Sequence, residues 1–162
     1  MNLTIIVAVS ENNIIGVENR IPWRISEDMK RFKELTLGHP VIMGRKTYES
    51  IPPKFRPLPQ IKNIILSRTL NHQEGIYVAR SIEKALDFTE NKESYIIGGE
   101  AVYKAFLPFA NKFELTKVHR NYEGDVFFPN INWDNWNLIN EEKGVSEKDG
   151  IPFSFLTYIK NI

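Results

Sequence analysis

Hydrophobic positions along the chain gather into short runs divided by polar, glycine or proline stretches, and the period of each run predicts its element. Leu3 to Val9 (LTIIVAV) is β-branched with little alternation, the pattern of a central strand buried on both faces, and the polar turn Ser10 to Asn13 ends it. Gly16, Asn19 and Pro22 then punctuate a loop that carries two large apolar residues, Ile21 and Trp23. Ser26 reads as the N-cap of a helix that stops near Gly38, with Asp28, Phe32 and Leu35 on one i, i+4, i+7 stripe. Pro40 to Met43 and Asn63 to Ser67 read as short buried strands. Between them lie a helix completed by Tyr48 to Ile51 and an extended proline-rich loop, Pro52 to Pro59, from which Leu58 points inward.

The second half continues the alternation. Ile76 to Ala79 predicts a strand, Ser81 caps an amphipathic helix through about Thr89, and a strand from Tyr95 runs through Gly98 and Gly99 into a helix over Ala101 to Leu107. Lys112 to Val118 predicts a strand that sets Phe113, Leu115 or Thr116 against the core. An acidic turn at Glu123 to Asp125 precedes the apolar Val126 to Phe128. Trp136 to Glu142 and Pro152 to Lys160 then predict an antiparallel edge hairpin around a polar loop, Gly144 to Gly150. Trp133, Trp136, Phe153 and Phe155 are expected in the core, since aromatics at strand spacing usually pack.

Composition narrows the class. The 162 residues suit one domain, 1–162, that buries roughly two thirds of its unfolded surface. Lysine plus arginine number 21 against 20 acids, so no broad electrostatic footprint for nucleic acid or an anionic membrane is expected. The longest apolar run, Ile5 to Val9, is too short to span a bilayer and the N-terminus lacks the pattern of a signal peptide, so a soluble intracellular protein is expected. Without cysteine there is no thiolate nucleophile, and His39, His72 and His119 are scattered, so the expected chemistry uses no metal.

Four places carry candidate chemistry. Asp28 is a carboxylate among apolar and aromatic residues, next to a loop able to close over a small flat ligand; the plainer reading is an acid favoured by the helix dipole. Gly44-Arg45-Lys46-Thr47 places two cations and a hydroxyl where a strand meets a helix, which suits an anion, or is a tight turn into a solvated basic helix end. Ser67-Arg68 repeats the hydroxyl and cation at another strand end, and two such pairs beyond the carboxyl ends of strands suggest a phosphorylated ligand. Gly98-Gly99 lets backbone approach a diphosphate, or is only a sharp corner.

Taken in order, IGVENRIPW, the helix with Asp28 and Phe32, VIMGRKTYESI, FRPLP, NIILSR, YIIGGEAVY and EGDVFFP resemble segments of the dihydrofolate reductase family, from the first strand through the terminal hairpin. The resemblance implies an α/β fold: a single three-layer domain with a mostly parallel eight-stranded sheet, a C-terminal antiparallel hairpin and helices on both faces. It also implies NADPH-dependent reduction of 7,8-dihydrofolate to tetrahydrofolate, by hydride transfer from nicotinamide C4 to pterin C6, which supports one-carbon metabolism; a cytoplasmic monomer is expected. By the same resemblance, Asp28 would bind the N3 and 2-amino donors of the pterin, Trp23 would hold an ordered water, and Ile21 would lie on a mobile loop over the nicotinamide. Ile6, Ala8, Met29, Phe32, Ile51, Leu58, Ile97, Tyr103 and Thr116 would line the substrate pocket. Ala8, Ile15, Gly16, Asn19 and Ile21 would meet the cofactor. Gly44, Arg45, Lys46, Thr47, Leu66, Ser67 and Arg68 would hold its phosphate side, with Arg45, Ser67 and Arg68 aimed at the 2′-phosphate. Ile97, Gly98, Gly99, Glu100, Ala101, Val102 and Tyr103 would meet its pyrophosphate and nicotinamide, and Asp125 would tether the loop.

Two positions depart from the family pattern. Ile61 stands where the family has an arginine for the α-carboxylate of the substrate's glutamate, and adjacent Lys62 replaces it only if the loop shifts by one residue. Val126 replaces a hydroxyl after Asp125. Rival readings are a reductase of another pteridine or of a riboflavin-pathway pyrimidine on the same fold, and a non-catalytic pterin or nucleotide-binding module.

Overall fold

The N-terminal run forms β1 (Leu3–Ser10), buried along almost its whole length, and a strand buried on both faces belongs in the interior of a sheet. In the computed structural model, which describes residues 2–18 and 20–162, β1 pairs in parallel with β6 (Ser94–Gly98) on one side and β7 (Lys112–Val118) on the other. Beyond β6 follow β3 (Val41–Gly44), β4 (Asn63–Leu66) and β5 (Tyr77–Ala79), all parallel. Beyond β7 come β10 (Pro152–Lys160) and β9 (Trp136–Val145), an antiparallel hairpin. The order β5-β4-β3-β6-β1-β7-β10-β9 is the expected mostly parallel sheet with a closing hairpin.

Strand alternation divides the core into two layers. Ile5, Ile42, Ile64 and Ile96 pack with Ala85 of α3 (Ile82–Phe88) and with Val102 and Phe106 of α4 (Glu100–Phe106). Ile6, Val41, Met43, Ile65 and Tyr95 turn the other way, toward Phe32 and Leu35 of α1 (Ser26–Thr36) and Tyr48 of α2 (Arg45–Ser50). Helices thus cover both faces. Phe106 and Phe113 are wholly buried, and truncating either to alanine costs about 3–5 kcal/mol.

Local signals hold where they depend on neighbours. Ser81 Oγ accepts the Lys84 backbone N–H and starts α3, and α1 ends ahead of Gly38, whose φ is +79°. Ser26, however, is not a cap. Ile25 occupies that position in extended backbone with no side-chain bond, buried with Trp23 and Phe153, so burial sets where α1 begins. The loop expected to start at Gly16 is entered from β2 (Ile14–Gly16), which pairs with β8 (Val126–Phe127) in a separate two-stranded ribbon. The proline-rich loop is not extended throughout, since Pro53–Phe55 forms a 3₁₀ turn. The hairpin loop is also shorter than expected, because β9 continues through Val145 and Ser146 closes the turn by accepting the Ile151 N–H on its hydroxyl.

Candidate active site

Alternation along β7 turns Glu114 and Thr116 to the same side, and α1 meets them with two polar residues one turn apart. Thr116 Oγ1 donates to Asp28 Oδ1 at 2.6 Å, and Arg31 donates to Glu114 Oε2 at 2.5 Å. Burial raises the pKa of the partly buried Asp28 carboxyl, while the Thr116 hydrogen bond and the Arg31 charge oppose that rise without cancelling it. The opposite face of β7 is separate: Leu115 and Lys117 line a cavity of about 420 Å³ with Trp133 and Tyr158, across the sheet from Asp28.

The sheet parts beside this acid. The β1–β6 ladder stops at Ile5–Ile96, while β1 continues along β7, with Ala8 opposite Thr116. Ile6 and Ala8 on one strand and Ile97 and Gly98 on the other therefore border a gap at the carboxyl end of the sheet, where open α/β sheets bind ligands. Tyr103 of α4 donates its hydroxyl to the Ile6 carbonyl at 2.9 Å, and burial followed by the nearby Asp28 charge pushes its pKa up, so it remains a donor. Gly98 has φ +121°, and a Cβ there would stand 3.2 Å from the Tyr103 hydroxyl oxygen, which requires glycine. Phe32, Ile51 and Leu58 are half-buried on the α1 and α2 side, whereas Met29 and Ile21 are 57% and 59% exposed at the rim.

The remaining candidates lie farther along the same end of the sheet. Gly44 is in register with Leu66, and Met43 with Gly98, so Arg45, Ser67, Arg68 and Gly99 emerge from neighbouring strands. Arg45 pairs with Glu49 at 2.8 Å. Ser67 Oγ accepts the N–H groups of Thr69 and Leu70, and Arg80, just past β5, donates to the Ser67 carbonyl. Neither α2 nor α4 has a side-chain cap, because Gly44 and Gly99 precede them, which leaves first-turn N–H groups for an anion. Guanidiniums that follow neighbouring strand ends, a hydroxyl and uncapped helix starts are groups of the kind that hold a phosphorylated ligand.

On the loop side, the Asp125 N–H donates to the Gly16 carbonyl at 3.2 Å, and Asp125 Oδ2 accepts the Glu18 N–H at 3.5 Å. Trp23 is buried, its ring centroid 5.0 Å from that of Tyr122.

A family model described as dihydrofolate reductase matches residues 2–160. The chain belongs to the dihydrofolate reductase family. It is 41% identical to a dihydrofolate reductase of Staphylococcus haemolyticus over 161 residues, 98% of this chain and 95% of that one. It is also 41% identical to one from Haemophilus influenzae over 158 residues, 96% of this chain and 97% of that one. The dihydrofolate reductase of Enterococcus faecalis, solved with NADP(H) and RAB-propyl, superposes with a TM-score of 0.90 at 33% identity, covering 99% of this chain and 97% of that one.

Within this dihydrofolate reductase fold, Asp28, Thr116, Phe32, Ile6 and Tyr103 come together, and Arg45, Ser67 and Arg68 share a strand-end edge. Asn19 lies outside the described residues. Sequence reasoning missed Arg80, although it follows a strand as Arg45 and Arg68 do, and missed Arg31 with Glu114, which strand alternation from Thr116 points to. It also left Lys62 open as a substitute for the arginine absent at Ile61. Lys62 Nζ is 3.4 Å from Glu90 and 4.5 Å from the Tyr77 ring centre, so it is committed elsewhere, and Ile61 packs among apolar residues. Among the described residues no helix is long and apolar enough to cross a membrane.

Proposed function

We propose that this chain reduces 7,8-dihydrofolate to tetrahydrofolate with NADPH, and that Asp28 anchors the pterin. The observation that supports this most is the Asp28 carboxylate, raised in pKa by burial and oriented by Thr116 beside the gap between β1 and β6. A flat heterocycle in that gap offers ring N–H and amino donors to Asp28, whose negative charge stabilises the ring once N5 is protonated. NADPH, when bound, supplies the hydride. Gly44, Lys46, Thr47, Gly98, Gly99 and Glu100 would border its phosphates, with Arg45, Ser67 and Arg68 toward the 2′-phosphate. Ile15, Gly16, Ala101 and Val102 would flank the nicotinamide side.

Ile21 and Trp23 belong to the segment that closes over the reactants and excludes water, and Asp125 ties that segment to β8. The chain works as a cytoplasmic monomer in this reading. Loss of NADPH absorbance with dihydrofolate as substrate tests the activity. Asp28→Asn tests the anchor: the barrier to hydride transfer at pH 7 should rise by about 2 kcal/mol or more, which slows it roughly 30-fold, with NADPH affinity retained. An Asp28→Asn enzyme with parental rates would remove Asp28 from the mechanism.

A further inference from the structure

We propose that Arg31, locked by the buried Glu114, positions the Asp28 carboxylate and sets the charge balance around it; this rests on the reading that Asp28 binds the pterin. The two rungs between α1 and β7 carry the idea. Thr116 holds Asp28, and one helical turn later Glu114 holds Arg31, so the second rung fixes the helix rotation that the first depends on.

The second rung is itself closely built. Glu114 is 4% exposed and the Arg31 side chain 18%. Glu114 Oε2 also accepts the Thr157 hydroxyl at 2.9 Å, Oε1 lies 3.4 Å from Lys112 Nζ, and the Arg31 guanidinium sits 4.6 Å over the Phe155 ring. A buried ion pair is often no more stabilising than apolar residues of similar size, so its placement one turn from a functional acid calls for an account in orientation and charge. Among the described residues, the charged and titratable groups facing Asp28 are Arg31 on its own helix and Tyr103 on α4, with Glu114 and Lys112 of β7 acting on it through Arg31; Glu27 turns away to accept the Glu147 N–H. Arg31 favours the Asp28 anion, and Glu114 restrains Arg31.

That balance predicts opposite signs for two substitutions. Since the pterin must carry a proton for hydride transfer in that reading, the rate falls as pH rises through the midpoint at which the pterin and Asp28 site loses its proton. Arg31→Gln removes the cation and leaves Glu114 less compensated, so the midpoint moves to higher pH by about half to one unit. Glu114→Gln keeps the hydrogen bonds to Arg31 and Thr157 but frees the cation, so the midpoint moves to lower pH. Arg31→Lys returns part of the first shift. The experiment is single-turnover hydride transfer against pH at saturating NADPH and dihydrofolate, with NADPH affinity as the control for the fold. If Arg31→Gln does not fold, Arg31→Lys and Glu114→Gln carry the test. A merely structural role would slow the variants with the midpoint unmoved, or move it the same way in both, and either result overturns the proposal. A slow Asp28→Asn alongside parental midpoints in the Arg31 and Glu114 variants rejects this inference alone; a parental Asp28→Asn rejects the reading beneath it.

Discussion

Thr116 and Asp28 join the middle of β7 to the first turn of α1 through a hydrogen bond of 2.6 Å, donated by the hydroxyl to the carboxylate. The bond opposes the effect of burial on Asp28, so Thr116→Val should raise the Asp28 pKa further. It also leaves the partly buried carboxylate short of a donor, a loss of about 1–3 kcal/mol. Urea unfolding at pH 7 measures the second effect, and a shift of the pH–rate profile to higher pH reports the first.

Stability should also record the burial of Asp28. Its pKa in the folded protein lies above the ordinary 3.8, so the group contributes stability that is complete below 3.8 and lost as pH rises through the folded value. Asp28→Asn escapes that loss. The variant should therefore melt higher than the parent at neutral pH, with the difference closing as pH falls below 3.8. A difference of the same size at both ends of the range would mean that the carboxylate is not penalised by burial.

Arg45, Arg68 and Arg80 follow the ends of neighbouring strands, where the proposed function sets the 2′-phosphate. Removing one charge-assisted contact costs about 1.5–3 kcal/mol, so Arg45→Ala should weaken NADPH by roughly ten- to a hundredfold and leave NADH nearly unchanged. Fluorescence titration with both cofactors separates the two. Equal affinities for NADPH and NADH in the parent would refute the assignment.

Ile61 offers no partner for the carboxylate of the substrate tail, and Lys62 is held by Glu90 and the Tyr77 ring. Ile61→Arg should lower KM for dihydrofolate, by about 1.5–3 kcal/mol if a forked ion pair forms, without changing KM for a dihydropterin that lacks the tail. Lys62→Ala should leave dihydrofolate binding intact. A large rise in KM in that variant would make Lys62 the anchor after all.

Gly124 lies where β8 approaches β2, and a Cβ there would come 2.5 Å from Ile14 Cγ2 and 2.6 Å from the Gly16 carbonyl oxygen. Gly124→Ala must push the ribbon apart, at a cost of about 1–3 kcal/mol, and disturb the contact between Asp125 and the Glu18 N–H. Thermal unfolding measures the first effect. Slower hydride transfer with unchanged NADPH affinity marks the second.

Sequence alone determined what depends on near neighbours. The β-branched runs at Leu3, Pro40, Asn63 and Tyr95 specify strands buried on two faces, and the Ser81 hydroxyl specifies a helix start, because period and capping act over a few residues. Helical spacing likewise placed Asp28 on the stripe of Phe32 and Leu35. Long-range packing, in contrast, sets the start of α1 at Ile25, joins β2 to β8 and Arg31 to Glu114, brings Tyr103 to the Ile6 carbonyl and holds Lys62 against Glu90. Each of these contacts but the first joins residues far apart in the chain, and α1 begins where it does because Ile25 is buried against distant Phe153; such choices follow from how the packed layers bring surfaces together, for which no local period or cap gives a signal.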